Sequence, residues 1–153
     1  MMRYNKIRTM DISNGTGIRV SLFTQGCNIH CKGCFNSELW NYSGGKEFTK
    51  NTINHLIDLC KNEHISGLSI LGGEPLSECN LDSLKELIIS FKKELPDKTI
   101  WLWTGYYYHQ LNDKQKQIVG MVNTLVDGPF ELEHKDPNLL FRGSSNQKIT
   151  YIM

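Results

Sequence analysis

Cys27, Cys31 and Cys34 stand in the run Gln25-Gly26-Cys27-Asn28-Ile29-His30-Cys31-Lys32-Gly33-Cys34-Phe35-Asn36, a Cys-x3-Cys-x2-Cys spacing. Thiolates bind zinc or the iron of iron–sulfur clusters. A closed metal site wants four ligands, and no fourth cysteine is close by. Three thiolates on a [4Fe–4S] cluster leave one iron open to chemistry. A structural zinc would need these three plus His30, or the distant Cys60 or Cys79. Zinc sites normally come as paired Cys-x2–4-Cys knuckles, and no second knuckle is present. A third reading, cysteines as packing residues, fits poorly with three of them in eight residues of a Gly/Asn-containing loop. Ligand count favours the cluster over zinc.

The other two cysteines read as bystanders. Cys60 falls on the apolar face of a helix and reads as a small buried hydrophobe. Cys79 follows a Gly-Gly-Glu-Pro turn, and as a fourth ligand it would close the open iron. His55, His64, His109 and His134 have no ligand-like spacing.

The chain of 153 residues suits one domain, residues 1–153, able to bury a core without disulfides. With 17 Lys+Arg against 16 Asp+Glu, nothing points to a nucleic acid or an anionic membrane as partner. No apolar run is long enough to span a bilayer, and the first residues lack a signal-peptide core. The expected location is the cytoplasm, where five cysteines suggest metal or catalysis before disulfides.

Strand and helix patterns alternate along the chain. Strands are predicted at Ile18–Phe23, Leu68–Leu71, Thr99–Thr104, Thr124–Asp127 and Lys148–Ile152. Apolar residues at helical spacing mark three helices. The first, capped by Thr49, carries Ile53, Leu56, Ile57 and Cys60. The second, capped by Asn80, carries Leu84, Leu87, Ile88, Phe91 and Leu95 and stops at Pro96. The third carries Leu111, Gln115, Ile118, Val119 and Val122, with Asn112 and Gln115 as a capping pair. Such alternation implies a parallel sheet with right-handed crossovers. A complete eight-unit barrel takes ~250 residues, so the predicted fold is an α/β open partial barrel of about five or six mostly parallel strands. The alternative is a flat doubly wound sheet. In either, the cysteine loop, Gly72-Gly73-Glu74-Pro75, Thr104-Gly105-Tyr106 and Asp127-Gly128-Pro129 all follow strand C-termini, the edge where ligands bind.

The three-cysteine loop resembles the signature of the radical S-adenosylmethionine superfamily. The chain resembles more closely one branch, the activating proteins of anaerobic ribonucleoside-triphosphate reductase. That resemblance rests on Asp11 to Arg19, Gly26 to Asn36, Gly72-Gly73-Glu74-Pro75-Leu76, Ile100 to Tyr106, Leu125 to Phe130, Lys135-Asp136-Pro137 and Phe141 to Gln147. It implies a [4Fe–4S] cluster on Cys27, Cys31 and Cys34, with S-adenosylmethionine chelating the open iron. It implies reductive cleavage to methionine and a 5′-deoxyadenosyl radical, which takes a hydrogen atom from one glycine of the reductase's large subunit. A low-potential donor such as flavodoxin or ferredoxin would supply the electron. The resemblance leaves a homodimer open.

For the cofactor, Gly72 and Gly73 would let the backbone approach the methionine end, with the carbonyls of Gly72 to Glu74 accepting from its ammonium. The Glu74 side chain reads as a solvated or a locally bridging acid. Gly33, Cys34 and Phe35 form the adenine-side segment, although many relatives carry an aromatic residue where Gly33 stands. Thr104 would line the pocket. Trp101 and Trp103 read as sheet-face residues, and Tyr106-Tyr107-Tyr108 as a partner contact or a helix cover. Asp127 would bind ribose hydroxyls or cap a turn, and Arg142 would meet a carboxylate or serve as a loop arginine. Two other functions stay open on the residues: activation of another glycyl radical enzyme such as pyruvate formate-lyase, and a zinc-stabilised binding module.

Overall fold

A computed structural model describes residues 2–29 and 39–153. Seven strands form one sheet in the order β3-β1-β2-β4-β5-β6-β7. They are β1 (Arg3–Asp11), β2 (Arg19–Thr24), β3 (Lys46–Glu47), β4 (Gly67–Gly72), β5 (Thr99–Trp103), β6 (Thr124–Asp127) and β7 (Lys148–Tyr151). The four central strands β2, β4, β5 and β6 pair in parallel. The outer pairings, β1 with β2, β1 with β3 and β6 with β7, are antiparallel. The sheet is open, with β3 and β7 as its two edges.

Three helices cross between the parallel strands: α1 (Lys50–Cys60), α2 (Leu81–Glu94) and α3 (Asp113–Val119). α1 starts at the extended Thr49, whose N–H donates to Thr52 Oγ1 at 3.1 Å. α3 starts on the reciprocal Asn112–Gln115 pair, both hydrogen bonds at 2.9 Å, as the sequence predicts. Their apolar faces (Leu56, Leu84, Phe91 and Ile118 among them) pack on Val20, Leu22, Leu68, Ile70, Ile100, Leu102 and Leu125 in one core cluster. Each such leucine contributes roughly 2–3 kcal/mol by leaving water.

That packing argues against the doubly wound alternative. A doubly wound sheet needs helices on both faces, and all three helices here belong to the core cluster on one face. The alternate strand residues, Arg19, Ser21, Phe23, Ser69, Leu71, Trp101 and Trp103, point to the other face. This inner face has no helix among the described residues. Its upper part is a small cluster of Phe23, Leu39 and Leu71 with Trp103 packed against it.

At the N-terminal end of the parallel strands the inner face is floored by Arg19, which is fully buried. Its guanidinium donates to Ser69 Oγ (2.8 Å), Thr99 Oγ1 (2.9 Å) and the carbonyls of Thr16 (3.2 Å), Leu68 (3.0 Å) and Thr99 (2.7 Å). It also lies 5.8 Å from the Trp101 ring centre. Burial lowers its pKa to about 10, still a cation at neutral pH.

Three expectations need correction. The strand at 18–23 is the second, not the first. β1 and the two-residue β3 precede and flank it, which raises the count from five or six to seven, with three of six pairings antiparallel. Asn80 does not cap α2 through its side chain. Its Nδ2 donates instead to the buried Glu74 carbonyl at 3.1 Å, and a one-turn 3-10 segment, Glu78–Asn80, leads into the helix. Val122 lies past the end of α3, yet it is buried in the same core.

Candidate active site

The motifs at the strand ends converge as predicted. Cys27 after β2, Gly72 to Glu74 at the end of β4, Thr104-Gly105 after β5 and Gly128 after β6 line one cavity of about 360 Å³. That volume suits a nucleoside-sized ligand. Ser13 and Asn14 close one side, and Leu139, Phe141, Arg142, Gly143 and Gln147 the other. Trp103, Leu71, Phe130 and Trp40 add apolar wall.

Of the three predicted ligands, Cys27 is described. It is buried at the cavity wall. Cys31 and Cys34, with Gly33, Phe35 and His30, lie outside the described residues. The feet of their loop are nonetheless pinned together. Gly26 N–H donates to the Leu39 carbonyl at 2.6 Å, and Cys27 N–H to the Trp40 carbonyl at 3.1 Å. Residues 26–27 and 39–40 are thereby held side by side at the cavity wall. Cys60 cannot join Cys27. Its Sγ faces the Gly67 carbonyl at the start of β4, about 16 Å of strand away from Gly72. Burial pushes its thiol up to about 12, so it stays protonated. Cys79 is exposed and lines a separate hollow with Asn28, Tyr42 and Tyr106.

Gly72 and Gly73 have a reason the sequence did not reveal. Gly72 holds φ +114°, and a Cβ on Gly73 would lie 2.2 Å from the Gly26 carbonyl oxygen. The turn packs backbone to backbone on the root of the cysteine loop, and Glu74 N–H donates to that same Gly26 carbonyl at 2.7 Å. The Glu74 carbonyl is taken by Ser77 N–H and Asn80 Nδ2. Among the described residues nothing donates to the Gly73 carbonyl.

The Glu74 side chain is fully buried and bridges; it is not solvated. Oε2 accepts from Thr104 Oγ1 (2.8 Å) and Leu76 N–H (2.9 Å), and Oε1 from Gly105 N–H (2.6 Å). It thus clamps the turn after β4 to the turn after β5. Burial raises its pKa to about 7 against the pull of these three donors. Thr104 lines the cavity as predicted, but its hydroxyl is already spent on Glu74 and the Tyr106 N–H.

The remaining candidates divide. Asp127 Oδ2 accepts from Tyr108 N–H at 2.8 Å and does not line the cavity, so it holds a turn. Tyr106 OH donates to Asn28 Oδ1 at 3.1 Å, bracing the start of the cysteine loop. Arg142 is half-buried in the cavity wall, with Nη1 on the Gln147 carbonyl and no carboxylate in ion-pair range among the described residues. Trp103 also lines the cavity and donates Nε1–H to the Phe141 carbonyl at 2.8 Å. Sequence reasoning assigned Ser13, Asn14, Phe130, Phe141 and Gln147 no role in the cavity wall, although each lies in a segment carrying the resemblance.

The chain is also similar in sequence to known proteins. Residues 13–150 match the model of the 4Fe-4S single cluster domain. The anaerobic ribonucleoside-triphosphate reductase-activating protein of Escherichia coli is 40% identical over 153 residues, 99% of each chain. Those of Salmonella typhi and Vibrio cholerae are 42% and 41% identical, over 99% and 97% of each chain. With full-length identity at this level and a cluster-domain match across the cavity-forming segments, the chain belongs to the family of anaerobic ribonucleoside-triphosphate reductase-activating proteins.

Proposed function

We propose that the chain is a radical S-adenosylmethionine enzyme that generates a glycyl radical on the large subunit of anaerobic ribonucleoside-triphosphate reductase. The observation that carries this reading is the buried Cys27 at the wall of a nucleoside-sized cavity, with Cys31 and Cys34 following it closely in the sequence. Those three thiolates would hold a [4Fe–4S] cluster. When bound, that cluster supplies one electron to the sulfonium of S-adenosylmethionine, giving methionine and a deoxyadenosyl radical that takes hydrogen from the partner's glycine.

The chain's own residues bind and orient. The Gly73 carbonyl accepts from the ammonium of the methionine end. The Glu74 clamp fixes that carbonyl relative to Thr104 and Gly105. Trp103, Leu71 and Phe130 give an apolar wall for the adenosyl group and exclude water from it. Arg142 offers a cation to a carboxylate of the cofactor or the partner. Cys60, buried on the other face, takes no part.

The test is anaerobic reconstitution with iron and sulfide, then mixing with the reductase, S-adenosylmethionine and a low-potential reductant. A glycyl radical signal by electron paramagnetic resonance is expected. Cys27→Ala should lose both the cluster absorbance and S-adenosylmethionine cleavage, and Cys60→Ala should keep both. A colourless protein carrying one zinc, or a radical formed only on a different glycyl radical enzyme, would overturn the proposal.

A further inference from the structure

β1 is a nine-residue strand, yet β3 pairs with it only at Arg3 and Tyr4. From Asn5 onward its outer edge has no strand beside it among the described residues. An open edge of this kind is a template for another chain. Lys6, Arg8, Thr9 and Met10 are exposed there, Met10 by 72%. The Lys6 ammonium and the Arg8 guanidinium lie 5.0 and 5.1 Å from the centre of the Phe23 ring. Phe23 clusters on the inner face with Leu71 and Trp103, both of which line the cavity. An unpaired strand edge and two cations therefore flank the open side of the inner face. Neither cation is in an ion pair among the described residues. Arg8 helps hold the Asp11 carboxyl down, but that carboxylate is occupied by Ser13 N–H, Asn14 Nδ2 and Ser21 Oγ.

We propose that the β1 edge is a docking strand for an extended, acidic segment of the protein being activated. The segment adds to β1 through backbone hydrogen bonds, and its acidic side chains meet Lys6 and Arg8. This rests on the function proposed above, which supplies the large reductase subunit as partner. A second copy of the chain is the poorer occupant. Residues 5–10 read Asn-Lys-Ile-Arg-Thr-Met, with no acid. Two such edges side by side would oppose cation to cation, which destabilises a strand pair. An acidic strand meets no such penalty, and charge complementarity also selects it during encounter.

The experiment compares wild type and the K6E/R8E variant, each reconstituted at full length, against the large reductase subunit. In the wild type, hydrogen exchange at the amides of residues 5–10 should slow on complex formation. The variant's dissociation constant should rise at least about tenfold, with a weaker salt dependence. Its melting temperature and its cleavage of S-adenosylmethionine without the reductase should stay near wild type. Unchanged exchange together with an unchanged dissociation constant overturns the proposal. So does slower exchange caused by self-association, seen as a mass change by sedimentation, because the occupant is then a second copy. If the wild type forms the glycyl radical while the β1 edge stays inert, only the docking assignment fails. If the wild type neither binds nor activates the reductase, the functional reading fails with it.

Discussion

At Glu74, burial and hydrogen bonding pull in opposite directions. The pocket disfavours charge, while three donors meet the carboxyl. Burial prevails, moving the group from its ordinary 4.5 up to about 7. A carboxyl held above its unfolded value favours the fold while it is protonated. Its contribution is therefore full below about pH 4.5 and is lost as pH rises to about 7, on the order of 3 kcal/mol across that window. Urea unfolding at several pH values should show stability falling over this range in the wild type, with this component absent in Glu74→Gln. Glu74→Ala leaves three donors without a partner and removes the titrating group, so its cost relative to wild type should be largest near pH 4.5 and shrink toward pH 7. The sequence left bridging open beside a solvated acid, but the burial was not legible, because a charged residue between two glycines and a proline sits in an ordinary turn pattern. Asp127 misleads in the same way, since an acid at a strand end can hold a ligand or a backbone N–H. The buried Cys60 was legible, because it sits on an apolar helix face.

Among the elements, the turn after β4 has little freedom. Gly73→Ala would drive a Cβ to 2.2 Å from the Gly26 carbonyl oxygen and break the Glu74-to-Gly26 hydrogen bond. The expected outcome is a loss of about 2 kcal/mol or more in stability and a sharp fall in iron content after reconstitution. Gly120→Ala is the matched control. Gly120 has φ −64°, and its nearest contacts to a new Cβ are 3.5 and 3.6 Å, so that variant should match or slightly exceed wild type by thermal unfolding. The helices and the parallel strands were readable because their helix-facing residues repeat at the proper period. β1 was not, because Arg3-Tyr4-Asn5-Lys6-Ile7-Arg8-Thr9-Met10-Asp11 is a largely exposed strand with few apolar residues to alternate. Only its pairing with β2 reveals it.

Across the whole molecule, the sidedness of the sheet follows from what each strand presents to either face. Leucine, isoleucine and valine go to the helices, while arginine, serine and tryptophan go to the inner face. Arg19 ties β2, β4 and β5 to the loop before β2 through its planar fork of donors. Arg19→Met would leave buried carbonyls without donors and should lose about 3–5 kcal/mol by chemical denaturation. Arg19→Lys should recover only part of it, because an ammonium cannot span the same acceptors. Arg19 falls inside a predicted strand, and nothing in the sequence marks it as buried. Its burial exists only because three strands and a loop meet there.

The cavity wall draws on residues from Ser13 to Gln147, almost the full span of the chain. During synthesis the helical core can assemble as each strand–helix unit leaves the ribosome, but the wall around Phe141 and Arg142 is made last. A nascent chain would present its cysteine loop well before the pocket beside it is complete. A ligand that fills this cavity is therefore one the nascent chain cannot hold until the segment around Phe141 has been made.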